Sequence, residues 1–178
     1  MSDLKDQILN NVTGDMDMIK KLANKIPGFK GYIESNARRD SDKLVRDLLF
    51  KRFRELEGQV SSLQSDLGNA GEIDYIDDLE KSAIKLRTFA DRVRTAKRGY
   101  AGLFDAVKVK TDDLDRLLAY DNAMLELVDQ VKAAIDNVQA SIGSDGLPAA
   151  VRNLESVSRQ CVETFDRREE VISGAAGV

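Results

Sequence analysis

Apolar residues recur along this chain at alternating steps of three and four, the spacing that keeps one stripe of an α-helix against a partner. Five such stretches follow one another. In residues 2–25 the stripe is Leu4, Ile8, Val12, Met16, Ile19 and Leu22, opened by the capping residues Ser2 and Asp3, with Gly14 inside it and Pro27-Gly28 as its stop. Residues 32–67 carry Ile33, Ala37, Leu44, Leu48, Phe53, Leu56, Val60, Leu63 and Leu67, and Gly68-Asn69-Ala70-Gly71 predicts a turn. The third stretch, 73–108, is close to a strict heptad through Ile76, Leu79, Ala83, Leu86, Ala90, Val93, Tyr100, Phe104 and Val107, broken only by Lys97. The fourth, 111–142, starts at Thr111 as N-cap and uses Leu114, Leu117, Met124, Val128, Val131, Ile135, Val138 and Ile142, broken by Asp121. After Gly143-Ser144-Asp145-Gly146, Pro148 suits the first turn of a fifth helix over 147–172, with Val151, Leu154, Ser158, Cys161, Val162, Phe165 and Val171 in its seam. Residues 173–178 read as a loose tail.

Seams of this kind imply coiled-coil-like packing. A helix of 35 residues is about 50 Å long, and short Gly-rich turns make sequence neighbours antiparallel. The expected fold is therefore all-α: one domain over 1–178, an elongated antiparallel bundle of about five helices. Composition agrees, since charged residues are 33% of the chain, aromatics only 6%, and there are just two prolines to interrupt helices.

Charge adds polarity to this rod. Residues 1–110 hold 21 Lys/Arg against 18 Asp/Glu, whereas residues 111–178 hold 6 against 13. If the second and third helices fold back about 68–71, facing positions sum to about 142, which brings Arg46 near Ala96 and Arg38 near Phe104. Two basic clusters then converge on one end, together with the loop Pro27–Tyr32. The seam charges Lys97 and Asp121 sum to 218, close to the value for an antiparallel pair turning near residue 110. They are expected to pair as a buried, register-setting couple.

Catalytic chemistry is harder to find. The chain has no histidine, which removes the commonest general base and zinc ligand. Its one cysteine, Cys161, permits no internal disulfide and lies on an apolar stripe, as a small buried hydrophobe does. No phosphate-cradling glycine loop is present. The carboxylates Asp112, Asp113 and Asp115 fit the first turn of a helix better than a calcium loop. No cofactor, metal site or enzymatic activity is expected. No apolar run is long enough to span a bilayer, and the polar, acidic N-terminus is wrong for a secretory signal, so the expected location is cytoplasmic.

The loop Ile26-Pro27-Gly28-Phe29-Lys30-Gly31-Tyr32 runs into Arg38-Arg39-Asp40-Ser41-Asp42-Lys43-Leu44-Val45-Arg46. Over about residues 19–56 this resembles a group of uncharacterised bacterial helical-bundle proteins with an IPGxKGY loop and an RRxxDKLxR helix start. That group has no established activity. Its genes are often found near SPFH (band 7) membrane-scaffold proteins, so the resemblance implies a membrane-associated assembly, peripheral to the inner membrane.

The leading expectation is a non-enzymatic interaction or scaffold module. Its contact residues would be Phe29, Lys30, Tyr32, Arg38, Arg39, Lys43, Arg46, Arg94 and Arg98, which meet an anionic surface of a protein partner. Two alternatives stay open. One is peripheral binding of an anionic membrane through the first helix and loop, with Phe29 and Tyr32 dipping into the interface. The other is a small-ligand carrier or enzyme with a pocket near Lys97, Tyr100 and Asp121. A homo-oligomer is also compatible with the long seams. Nucleic acid is disfavoured by a sequence pI near 5.0.

Overall fold

A computed structural model describes residues 38–96 and 111–176, with side-chain surroundings described over 45–96 and 119–170. These residues form four α-helices and no strand: α1 (Arg38–Ala70), α2 (Ile76–Thr95), α3 (Thr111–Ser141) and α4 (Leu147–Ala176), with a 3-10 turn at Ile73–Tyr75 leading into α2. The protein is all-α over this span. The stretch expected as a helix over 2–25 and the loop Pro27–Tyr32 lie outside the described residues.

Each helix forms where the sequence pattern puts it, and the ends have local causes. At the end of α1, Gly71 adopts φ +80°, a left-handed conformation that costs glycine little. The Glu72 amide then donates to the Leu67 carbonyl and the Gly71 amide to the Gly68 carbonyl, at 2.9 and 3.2 Å. This pair of bonds satisfies the last carbonyls of the helix, so α1 runs three residues past its expected end at 67. Between α3 and α4, Gly143 has φ +74°. There Ser144 Oγ donates to the Ser141 carbonyl and accepts from the Gly146 amide, and Pro148 follows in the first turn of α4.

Two expected boundaries need correction. The third stretch is not a single α-helix over 73–108. It opens as a 3-10 turn, and α2 stops at Thr95, where Ala96 takes the extended torsions φ −53°, ψ 144°. The Thr95 hydroxyl bonds back to the Asp91 carbonyl at this point, and such back-bonding competes with helix continuation. Residues 97–110 lie outside the described residues. The expected loose tail also begins too early, since α4 continues through Ala176.

The helices pack as two hairpins. Phe53 faces Phe89, Glu57 faces Arg87 and Gln64 faces Glu80, so α1 and α2 run in opposite directions. The Arg46 guanidinium donates to the Ala96 carbonyl at 2.8 Å, the neighbourhood expected from the sum near 142. α3 and α4 are joined by the 142–146 turn and meet at Asp121–Arg168. The hairpins join through α2 with α4 and α1 with α3, leaving α2 and α3 across a diagonal. Lys85–Glu155, Phe89–Phe165 and Arg92–Asp166 rise together in number along α2 and α4, so these two run in the same direction. Both tight turns therefore lie at one end. The start of α1, the end of α2, the start of α3 and the end of α4 share the other, here termed the open end.

The core follows the stripes. On α4 the buried positions Leu147, Val151, Leu154, Ser158, Cys161, Phe165 and Arg168 alternate steps of four and three. Over the described side chains of α1 the buried set begins Val45, Leu49, Phe53, and Leu48, expected in the seam, is only partly buried. Three rings tie three helices together. Phe53 lies 4.4 Å from Phe89, and Phe89 meets Phe165 edge-on at 6.1 Å, centroid to centroid.

Phe89 is the middle ring and is fully buried. Phe89→Ala removes contacts to both hairpins, and urea unfolding is expected to show a loss of about 3–5 kcal/mol.

Candidate functional site

The open end gathers the charges that the sequence singles out. Residues 38–54 of α1 hold seven Lys/Arg against three Asp, and residues 85–95 of α2 hold four against one. Alongside them, residues 111–121 of α3 hold four acids against one base, and residues 163–176 of α4 four against two. The end is thus basic on its α1–α2 side and acidic on its α3–α4 side.

Several of these charges serve the bundle itself. Arg46 is half-buried and covers the C-terminal carbonyl region of α2, where a cation complements the helix dipole. Arg94 stacks over the Phe50 ring at 4.8 Å. Arg92 bonds Asp166 and lies over Phe165. Lys85 donates to Glu155 at 2.8 Å and holds that carboxyl below its ordinary pKa, through the hydrogen bond first and the charge second. Glu57, nearly buried, accepts two bonds from Arg87 and pairs with Arg54 at 3.2 Å.

Of the nine residues expected to contact a partner, Arg38, Arg39 and Lys43 fall in the described part of α1 nearest the open end. Arg46 and Arg94 lie at that end too, engaged as described. Phe29, Lys30, Tyr32 and Arg98 lie outside the described residues. The structure therefore brings five of the nine to one end of the bundle.

Asp121 has a partner that the sequence reading did not name. Its carboxylate accepts from Arg168 Nε at 2.7 Å, with both side chains 1% exposed. Lys97 and Tyr100 lie outside the described residues. Arg168 went unnoticed in the sequence although its signal was present: it continues the Cys161–Phe165 steps at a core position, as a charge demanding a buried counter-charge.

Cys161 is buried and its thiol bonds to the Val157 carbonyl. Burial pushes its pKa up to about 12, so the nucleophilic thiolate is scarcely populated near neutrality. Among the described residues, no group of three or more His, Cys, Asp or Glu side chains is placed to hold a metal ion. No described helix is long and apolar enough to cross a membrane. No family model, no curated protein and no solved structure matches this chain.

Two outcomes test this geometry. Asp121→Ala removes the carboxylate that Arg168 Nε bonds in the core and is expected to cost about 3–5 kcal/mol in denaturant titration. Asp121→Leu combined with Arg168→Met should recover most of that loss, because no buried charge is stranded. Separately, a thiol reagent at about pH 8 should leave Cys161 unmodified in the native protein and modify it fully in denaturant.

Proposed function

We propose that this protein is a non-enzymatic interaction module, whose basic open end on the α1–α2 side contacts an anionic partner surface. The observation that carries this reading is the clustering of Arg38, Arg39 and Lys43 on the open-end part of α1, at the same end as the basic last turn of α2. Arginine and lysine at this density favour a surface of carboxylates or phosphates. The seam of α4, with its alternating steps, supports the finer architecture of an elongated, coiled-coil-like antiparallel bundle. Residues 2–25 would supply its fifth helix. A cytoplasmic scaffold role fits such a rod, and the likeness of residues 19–56 to proteins encoded beside membrane scaffolds points the same way.

The experiment is charge reversal with capture. Arg38→Glu, Arg39→Glu and Lys43→Glu together should abolish recovery of partners from a native extract while the circular dichroism stays helical. Arg46 is left intact, since it covers the end of α2. Unchanged recovery would overturn the assignment of this end as the contact site.

A further inference from the structure

The turn between α3 and α4 holds a reactive pair. Asp145-Gly146 is the one place in the chain where an aspartate precedes a glycine, and no asparagine does so. An aspartyl carboxyl is open to attack by the backbone nitrogen of the residue that follows it. A side chain on that residue crowds the approach, and glycine has none. Most of the other described aspartates also lie inside α-helices, where φ and ψ are held in the helical range.

Asp145 is held much less. Its side chain is exposed. The backbone bonds of the turn run from the Ser144 amide to the Ser141 carbonyl, from the Leu147 amide to the Ser144 carbonyl and from the Ala150 amide to the Gly146 carbonyl. They pass Asp145 by: among the described residues, neither its carboxylate nor its own amide and carbonyl makes a hydrogen bond. The nitrogen of Gly146 carries one restraint. Its N–H donates to Ser144 Oγ at 3.3 Å, and that hydroxyl donates to the Ser141 carbonyl at 2.8 Å. A serine bonding the backbone two residues on is a common turn device. Here it also holds the nitrogen that would have to turn onto Cγ of Asp145.

The fold does not demand glycine at 146. Gly143 carries a left-handed φ in this turn, and Gly146 does not. A Cβ on Gly146 would stand 3.5 Å from Ser144 Oγ and 3.7 Å from Ser141 Oγ, which are ordinary contacts. Alanine therefore fits at 146, so the reactivity of the pair is separable from the folding of the turn.

We propose that Asp145-Gly146 is a site of spontaneous isomerisation to isoaspartate, slowed by Ser144. The Gly146 nitrogen bonds to Cγ of the protonated carboxyl. Its hydrogen and the carboxyl hydroxyl leave as water, which closes a five-membered succinimide. Water then adds to one of the two ring carbonyls. Addition at Cγ regenerates aspartate. Addition at the former backbone carbonyl leaves the chain running through Cβ and Cγ, with the α-carboxylate as a side group. Water is the only co-reactant, and nothing is oxidised or reduced. The product presents an exposed isoaspartyl carboxylate, the group that isoaspartate methyltransferases take as substrate. The site lies at the tight-turn end, away from the basic open end, and is independent of the functional reading above.

The test ages the full chain under native conditions for weeks at physiological temperature and then digests it with trypsin. The peptide 133–152 should separate into species of identical mass. The new species should accept a methyl group from S-adenosylmethionine in the presence of an isoaspartate methyltransferase, and electron-transfer fragmentation should place the isoaspartate at 145 rather than at Asp136. Gly146→Ala should lose almost all of this conversion while its circular dichroism stays helical. Ser144→Ala should speed the conversion roughly two- to tenfold, the factor that one neutral hydrogen bond is worth. Absence of a methylatable product at 145 overturns the proposal, and so does equal conversion in Gly146→Ala. Conversion no faster in Ser144→Ala overturns the assignment of Ser144 as the restraint.

Discussion

A carboxylate and a guanidinium withdrawn from water together fix how the second hairpin meets itself. Asp121 and Arg168 each retain 1% exposure and meet at 2.7 Å. Taking both ions out of water costs several kcal/mol apiece, and the cost is offset only where they face each other. A shift of α3 against α4 by one heptad would bury both charges against apolar neighbours. A hydrophobic seam of leucines and valines tolerates such a slip far better, because most of its alternative contacts are also favourable. The pair therefore supplies less net stability than specificity of register, and its position on α3 and α4 determines which faces remain to receive the other hairpin.

That reception is made by rings and by opposite charges. Phe165, one step of three before Arg168, projects to Phe89, and Phe89 contacts Phe53, so the register set in one hairpin is transmitted to both helices of the other. At the margin of this aromatic contact Arg92 covers Phe165 and bonds Asp166. About two turns of α2 nearer the tight turns, Lys85 meets Glu155. Partly exposed pairs like these contribute little stability each. They do discriminate direction: with α2 alongside α4 in the same sense, the basic end of α2 lies by the acidic end of α4, while the reverse orientation would bring α2's acidic first turn there.

The sequence was most legible where one helix suffices to read it. Stripe spacing located all four described helices, because a three-four step has the same meaning whichever neighbour buries it. The α1–α2 pairing was equally readable, since a turn as short as 68–72 leaves only one way to fold back, and Arg46 indeed meets Ala96. Harder to read is which apolar residue of a run its neighbours bury: Leu49 is in the core where the stripe pointed to Leu48, which is only partly buried. The run Leu48-Leu49-Phe50 offers three apolar residues, and only the partner helices decide which is inside. At the open end, the basic cluster was visible as composition, but which arginines were already engaged depended on Phe50, Ala96 and Asp166, contacts no spacing rule encodes.

Charge placement in this molecule makes sense only with helix direction included. A base near a helix N-terminus is unfavourable to that helix and favourable to an antiparallel neighbour whose C-terminus lies beside it. Arg46 of α1 shows the favourable half of this exchange, donating to the Ala96 carbonyl just past the end of α2. The acidic first turn of α2 and the acids of the turn region obey the same logic from the other side. Such exchange reaches about one helical turn and then stops. Beyond it, a charge must be held by a side-chain partner, as Glu57 is by Arg54 and Arg87, or else face solvent. Lys51, Arg52 and Asp66 fall in that exposed class.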